Sequence, residues 1–369
     1  MLNFYSESYA EATDKFMFAA AAHGKVSEYK SERTEYAIPV LAIGHGPRKI
    51  VINSGIHGIE GFFGSAAYNF WLSTNAKFLD KKFHNDFSIY FIHGINGFGM
   101  DRRLRETANN VDLNRNFRNS WETPPPVNEL YKQGHDLIVS APHVRAGEVT
   151  KFQKILDFYN LHRDDGVYKS LTRGQYEYPD GIFYGGTGPE PETEMVTKIY
   201  DDIMANGRTK FLLSVGLHTG IGKYRPNRNL LTRKILVSHP GRHPNTLKFA
   251  EIFAPDITIV PDDRAEINAD ALSGDLVDYL EVRYAKLKKP IWTADFEIGT
   301  GTFSCSDQTK RMDQGDARWE IANLGRITKT TWNHLTESWY PSDPKWREMA
   351  LGAADIFAQK LYEYMLKII

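Results

Sequence analysis

The feature of this sequence that most constrains its fold is a series of short apolar runs, each closed by glycine or polar residues. They lie at 37–44, 49–55, 87–94, 211–218, 234–239, 257–261 and 290–297. The runs are continuous and rich in Val and Ile, as in strands that are buried on both faces of a sheet. Segments with helical character lie at 8–22, 62–80, 192–206, 245–254, 272–287 and 345–368. This alternation predicts an α/β fold, with a mixed, mostly parallel central sheet and helices on both faces.

The length of 369 residues fits one large α/β domain, because such folds often exceed the usual domain length of about 150 residues. We predict a single domain over 1–369. The stretch 121–188 fits the pattern least well: it opens with three consecutive prolines, contains a predicted helix near 150–162 and ends in DGIFYGGTGPEPE. We interpret it as an insertion over one edge of the domain.

The balance of charges excludes several classes of partner. Lys and Arg number 45 and Asp and Glu 46, so the net charge of -1 is too balanced for a surface that binds nucleic acid or anionic lipid. No apolar run approaches the roughly 18 residues of a membrane span, and the first residues lack the pattern of a signal peptide. Cys305 is the only cysteine, which excludes an intrachain disulfide. We therefore expect a cytoplasmic protein that binds neither nucleic acid nor membrane.

Metal-binding residue types stand where predicted strands end. His57 and Glu60 follow the run KIVINSG, and His218 ends FLLSVGLH. His57 and Glu60 are three residues apart, so both can face one ion from the same side of a turn. A catalytic zinc uses three protein ligands, and two histidines with one carboxylate are a known set. Because ligands bind beyond the carboxyl ends of strands in open α/β sheets, we predict one Zn²⁺ ion held by His57, Glu60 and His218. A His–Glu pair without a metal is the alternative, and iron, cobalt or manganese are alternatives to zinc because the ion is inferred from ligand type.

An arginine-rich loop follows the run at 87–94 and ends in VDLNRNF (111–117). It carries arginines at positions 102, 103, 105, 115 and 118. Planar guanidinium groups suit a carboxylate or a polarised carbonyl oxygen, and we assign that role to Arg105 and Arg115. Asn114 adds a neutral donor beside Arg115. A solvated or salt-bridged role is the alternative, and we favour it for the other three arginines.

Glu297 ends the run PIWTADFE, and Asp295 lies two residues before it. On a strand both carboxylates point to the same face. A carboxylate near a metal-bound water can act as general base and return the proton to the leaving amine. Glu297 is therefore the candidate base, with pairing to an arginine as the alternative.

Motifs of other enzyme classes are missing or incomplete. GLHTGIGKY is not a phosphate-binding loop, because Tyr224 replaces the required Ser or Thr. No G-x-S-x-G motif of a serine hydrolase occurs. Cys305 has no adjacent histidine motif that would activate its thiol.

The sequence resembles the zinc carboxypeptidase superfamily in four features taken together: HGIEG, VDLNRNF, a later lone His and a strand-end Glu. Within it the sequence looks most like a bacterial group of carboxypeptidase-like proteins, DUF2817, and more distantly like succinylglutamate desuccinylase and aspartoacylase. The resemblance covers nearly the whole chain, through FYSESYAEATDKF, INSGIHGIEGFFGSAA, INGFGMDRRLRETANNVDLNRNF, GQYEYPDGIFYGG, GLHTGIGKY and FEIGTGTF. It implies the zinc carboxypeptidase fold.

The resemblance also implies a role for each candidate residue. Arg105 would polarise the scissile carbonyl, with Arg103 as the alternative, and Glu297 would be the base. Asn114 and Arg115 would hold the substrate carboxylate. Tyr184, in DGIFYGG, either lines the site or belongs to a turn.

Three departures from the superfamily bear on the substrate. The spacer from Glu60 to His218 is longer than usual, and HTGIGKY differs from the usual His-Ser pairing. No motif identifies the tyrosine that covers the substrate in the superfamily. The candidates are Tyr224, Tyr279 and Tyr284. The prediction is a zinc-dependent hydrolase that cleaves an amide bond next to a free carboxylate in a peptide or small molecule, as a metallocarboxypeptidase. An N-acyl amino acid deacylase and a non-catalytic metal-containing binding protein are the alternatives.

Overall fold

The computed structural model describes residues 2–125, 127–139, 174–205, 208–220, 222–237, 251–261, 274–301 and 336–369. Its strands are β1 (Lys25–Ser31), β2 (Thr34–Gly44), β3 (Arg48–Ser54), β4 (Phe87–Ile92), β5 (Phe211–Gly220), β6 (Tyr224–Arg225), β7 (Leu230–Leu231), β8 (Arg233–Val237), β9 (Thr258–Pro261) and β10 (Ile291–Gly299). Eight of them form one sheet in the order β1-β2-β4-β3-β5-β10-β8-β9, and β6 and β7 pair separately.

The centre of the large sheet is parallel. Strands β4, β3, β5 and β10 run in one direction, and β8 and β9 are parallel to each other. Antiparallel pairs join β1 to β2, β2 to β4 and β10 to β8. Every residue of β5 is buried, as expected for a strand at the middle of a sheet that is covered on both faces. The predicted mixed, mostly parallel sheet is confirmed.

Helices cover both faces of this sheet. The helices of the described residues are α1 (Tyr9–Ala20), α2 (Gly61–Thr74), α3 (Gly97–Arg102), α4 (Glu129–Val139), α5 (Pro191–Met204), α6 (Leu276–Tyr284) and α7 (Pro344–Ile368). Alternation along β3 separates two hydrophobic cores: Ile50 and Ile52 pack in the core that contains buried residues of α1, α2 and α7. Val51 packs in the core of α5 and α6. Among the helices of the described residues, none is long and apolar enough to cross a membrane.

Two elements differ from the sequence prediction, and some predicted positions lie outside the described residues. The polar segment 25–31 forms the edge strand β1, which the apolar runs did not indicate. Helix α2 ends at Thr74 because Asn75 adopts a left-handed conformation, with φ 52°, and closes the helix. The predicted helix near 150–162 and residues 245–250 lie outside the described residues, as does Cys305. Within 121–188, the structure describes α4 and a bridge between Gln175 and Tyr184.

Candidate metal centre

A tight turn after β3 positions the first two candidate ligands. His57 precedes a short 3-10 helix at Gly58–Glu60, which leads directly into α2. A Cβ atom at Gly58 would lie 2.2 Å from the carbonyl carbon of Gly99, so only glycine allows this turn to pack against α3. The N–H of Gly58 donates to the carbonyl oxygen of Arg105 at 3.2 Å, which joins the turn to the arginine-rich loop.

Glu60 lies at the centre of a buried cluster with both histidines. Its Oε1 atom is 2.8 Å from Nδ1 of His57, and its Oε2 atom is 3.0 Å from Nδ1 of His218. The backbone N–H of Thr219 also donates to Oε2, at 2.9 Å. One potential ligand atom from each of His57, Glu60 and His218 lies within 4.8 Å of the others. Two imidazole nitrogens and one carboxylate are a donor set that fits zinc.

The charges in the cluster support one another. Burial alone would raise the pKa of Glu60, but the imidazoles of His57 and His218 outweigh it and lower that pKa well below its ordinary value. Burial alone would lower the pKa of His218, but the carboxylates of Asp295 and Glu60 raise it well above its ordinary value. Glu60 is therefore ionised at neutral pH and available as a ligand.

A second buried carboxylate, Asp112, supports this cluster from the arginine-rich loop. Its Oδ2 atom accepts hydrogen bonds from Nε and Nη2 of Arg105, at 3.1 and 2.9 Å. Its Oδ1 atom lies 3.3 Å from Nε2 of His57. Nη1 of Arg105 lies 3.1 Å from Nδ1 of His57 and 3.5 Å from Oε1 of Glu60. The guanidinium of Arg105 therefore contacts the candidate ligands directly, and Asp112 holds it there.

Asp112 is not among the site residues predicted from the sequence, although it lies inside VDLNRNF. Burial alone would raise its pKa, but Arg105, Arg115 and His57 hold that pKa well below its ordinary value. Its position could have indicated a role in the site, because Asp112 lies two residues before Asn114 in the motif that supplies Asn114 and Arg115.

The other side of the cluster is built by strand pairing. Glu297 of β10 is paired with His218 of β5, and Asp295 is paired with Gly216, so both carboxylates lie on the face that carries the His218 imidazole. Oδ1 of Asp295 lies 3.5 Å from Nε2 of His218. Glu297 is buried. The predicted common face for the two carboxylates is confirmed by this register.

Asn114 and Arg115 lie in a short 3-10 helix that packs against the start of α6. The side-chain Oδ1 of Asn114 accepts from the N–H of Leu276 at 3.2 Å. Nη1 of Arg115 donates to the carbonyl oxygen of Asn114 at 2.6 Å. The ring of Phe183 lies 5.9 Å from the guanidinium carbon of Arg115 and 5.7 Å from that of Arg105. One aromatic ring thus contacts both arginines that the sequence assigns to substrate.

Arg103 and Tyr184 make hydrogen bonds outside the cluster of His57, Glu60 and His218. Nη2 of Arg103 donates to the carbonyl oxygen of Glu7 at 2.6 Å and lies 3.2 Å from its Oε2 atom, which directs the guanidinium to the N-terminal segment. Tyr184 is buried, and its carbonyl oxygen accepts from the N–H of Asp112 at 2.8 Å. Its backbone therefore supports the motif that carries Asn114 and Arg115.

The three candidate tyrosines have hydroxyl partners on other elements. The Tyr279 hydroxyl is 3.1 Å from that of Thr197, and the Tyr284 hydroxyl donates to Asp201 at 2.8 Å. The Tyr224 hydroxyl donates to Asp343. These contacts assign no substrate-covering role to any of the three.

A family model described as "Protein of unknown function (DUF2817)" matches residues 5–353. The chain belongs to the DUF2817 family. The family resemblance indicated by the sequence motifs is therefore confirmed. No curated protein sequence matches this DUF2817 chain.

Solved structures show the fold of this DUF2817 protein. It is similar to bovine thrombin-activatable fibrinolysis inhibitor in complex with tick carboxypeptidase inhibitor, at 14% identity and a TM-score of 0.56, covering 99% of this chain and 98% of that chain. A second structure of thrombin-activatable fibrinolysis inhibitor has 15% identity and a TM-score of 0.53, with coverage of 99% and 75%. A succinylglutamate desuccinylase/aspartoacylase from Rhodobacter sphaeroides gives a weaker likeness, at 14% identity and a TM-score of 0.37, with coverage of 80% and 64%. The DUF2817 chain has the carboxypeptidase fold, as predicted.

Proposed function

We propose that the protein is a zinc-dependent hydrolase that cleaves an amide bond next to a free carboxylate, acting as a carboxypeptidase on peptides. The observation that carries this proposal is the buried set of His57, Glu60 and His218, whose ligand atoms lie within 4.8 Å of one another. Its position at the carboxyl ends of β3 and β5 is where open α/β sheets bind ligands. When bound, a zinc ion supplies Lewis acidity toward a carbonyl oxygen and toward water.

Residues of the chain would stabilise charge, transfer the proton and bind the substrate carboxylate. Arg105, oriented by Asp112, would stabilise negative charge that develops on the carbonyl oxygen. Glu297 would remove a proton from the attacking water and deliver it to the leaving amine. Arg115 and the amide nitrogen of Asn114 would hold the substrate carboxylate, since guanidinium groups bind carboxylates with two parallel hydrogen bonds. Arg103 and Tyr184 would contribute only through the segments they support.

The experiment that tests the proposal is mass spectrometry of one incubation. The zinc-loaded protein meets a mixed pool of peptides with free C-termini and of N-acyl amino acids. Loss of single C-terminal residues supports the carboxypeptidase. Release of an acyl acid together with a free amino acid makes the protein a deacylase instead, and an unchanged pool from a protein that holds zinc favours a binding role.

Glu297→Gln provides the matched control for this experiment. The variant should retain zinc and lose turnover by about 10²–10⁴-fold, the usual contribution of a general base. His218→Ala should lose zinc, because it removes one of the three ligands. Parental turnover in Glu297→Gln contradicts the assigned base, and parental zinc content in His218→Ala removes His218 from the ligand set.

A further inference from the structure

Asp295 is a second carboxylate on the site face of β10, and no step proposed above uses it. Its side chain is 13% exposed. The residue directly opposite it on β5 is Gly216, and His218 lies two residues further along that strand. Residues two apart on a strand lie on the same face of the sheet, and Oδ1 of Asp295 lies 3.5 Å from Nε2 of His218. The strand register therefore turns the Asp295 carboxylate toward the His218 imidazole.

Gly216 provides the space for this contact. A Cβ atom at that position would lie 2.5 Å from Oδ1 of Asp295 and 3.1 Å from Nε2 of His218. Any larger residue would force one of the two groups to move. Glycine in the interior of a strand weakens that strand and often marks a close approach of other groups. Here the groups that approach are a carboxylate and a candidate metal ligand.

The two histidines of the cluster have the same arrangement of partners. Each directs Nδ1 to Glu60, and each has Nε2 close to an aspartate, at 3.3 Å for Asp112 and 3.5 Å for Asp295. Asp112 also binds Arg105, whereas no arginine or lysine of the described ranges forms an ion pair with Asp295. Among the described residues, the ion-pair partner of Asp295 is therefore the imidazole of His218.

We propose that Asp295 is the positioning residue for His218: its carboxylate accepts the Nε2–H and so holds the ring with Nδ1 aimed at the metal, in the space that Gly216 leaves. Histidine ligands usually donate their other ring N–H in this way, and the partner fixes both tautomer and ring orientation. The inference rests on the proposed function, because it assumes that His218 is a ligand.

Zinc affinity tests the inference without any substrate. We would measure it by competition with a chromogenic chelator for the parent protein, Asp295→Asn, Gly216→Ala and Glu297→Gln. Asp295→Asn and Gly216→Ala should bind zinc about 10–100-fold more weakly, the usual effect of losing such a partner. Glu297→Gln removes one negative charge from the same face of the same strand and should keep the parental affinity. Gly216→Ala changes no charge, so it tests geometry alone.

The visible absorption spectrum of the Co²⁺-loaded proteins gives a second readout, because it reports the geometry of the ligands. Asp295→Asn should change this spectrum, whereas Glu297→Gln should not. Parental zinc affinity and spectrum in Asp295→Asn overturn the inference and leave the proposed function standing. Equal losses in Asp295→Asn and Glu297→Gln also overturn it, since charge alone would then explain the effect. A parent protein that binds no zinc overturns the inference and the proposed function together.

Discussion

Asp112 shows how much one buried residue can carry. Its carboxylate binds Arg105 through two nitrogens, accepts from the N–H of Asn114 at 3.0 Å and lies beside His57. In Asp112→Asn the guanidinium of Arg105 keeps its buried position and loses the nearer of the two carboxylates that balance its charge, with only Glu60 left at 3.5 Å. Breaking a buried ion pair in this way costs about 3–5 kcal/mol. Urea unfolding of the metal-free protein at neutral pH should show a loss of that size.

The matched control is Asp86→Asn, at the partly exposed ion pair between Asp86 and Arg48. Exposed pairs contribute about 0–1 kcal/mol, so this variant should unfold almost like the parent. Because the folded pKa of Asp112 is lowered, its contribution is present above the unfolded value and is lost as the pH falls through the folded value. The difference between parent and Asp112→Asn should therefore shrink in acid. Equal losses from the two substitutions would contradict the role of Asp112.

The sequence predicted the candidate metal ligands but not Asp112, the buried carboxylate that orients Arg105 beside them. His57, Glu60 and His218 were found because each stands where an apolar run ends. Asp112 lies in a loop without periodicity, and its role depends on how that loop folds back over Arg105. Position relative to VDLNRNF favoured Arg105 and left Arg103 as the alternative. The contacts that distinguish them, with Asp112 for Arg105 and with Glu7 for Arg103, arise only in the folded chain.

Helix α5 begins with a buried carboxylate that is separate from the cluster. Glu192 lies in the first turn, is 3% exposed, and its Oε2 atom has no hydrogen-bond partner among the described residues. Burial raises its pKa to about 7. Since the unfolded value is about 4.3, the folded state binds the proton more tightly, and the stability of the protein should fall as the pH rises between these two values.

Glu192→Gln should remove this pH dependence. The free energy of unfolding of the variant relative to the parent should increase by up to about 3 kcal/mol between roughly pH 4.5 and pH 8, from 1.36 kcal/mol per pKa unit. Urea titrations at both pH values measure it. Glu194→Gln, at a half-exposed position in the same turn, is the matched control and should change little. A constant difference between Glu192→Gln and the parent would contradict a raised pKa of Glu192 in the folded state.

Elements with a buried apolar surface were the predictable ones. The run at 211–218 became β5 because a strand in the middle of a sheet needs apolar residues on both faces. Segment 25–31 escaped prediction because an edge strand needs few of them, and KVSEYKS is largely polar. The end of α2 was placed too late, at 80 instead of 74, because the left-handed cap at Asn75 is a backbone feature that apolar periodicity does not report.

At the scale of the whole molecule, topology creates the site. Glu60 and His218 are 158 residues apart in sequence, and they meet because β3 and β5 are parallel neighbours. Strand-end positions predicted that these side chains share one edge of the sheet. The strand order could not be derived, since apolar runs give no information on which strands pair. That order places β5 between β3 and β10 and so brings Glu297 beside His218.

A site assembled from distant segments exists only in the folded chain, so zinc should stabilise the whole molecule. At 100 times its dissociation constant, a ligand of the native state contributes about 2.7 kcal/mol. With an unfolding entropy of about 2.1 cal/mol/K per residue, a chain of this length should gain roughly 3 °C in Tm. Thermal unfolding with zinc and with a chelator measures the shift.

His218→Ala should abolish this thermal shift, because the ion would lose the ligand that ties β5 to the turn after β3. His45→Ala removes an exposed histidine just before β3 and should keep the full shift, which separates a specific site from general binding to histidines. A shift that persists in His218→Ala would mean that zinc binds elsewhere on the folded chain. A shift lost in both variants would point to surface histidines as the ligands, since the buried cluster of His57, Glu60 and His218 does not include His45.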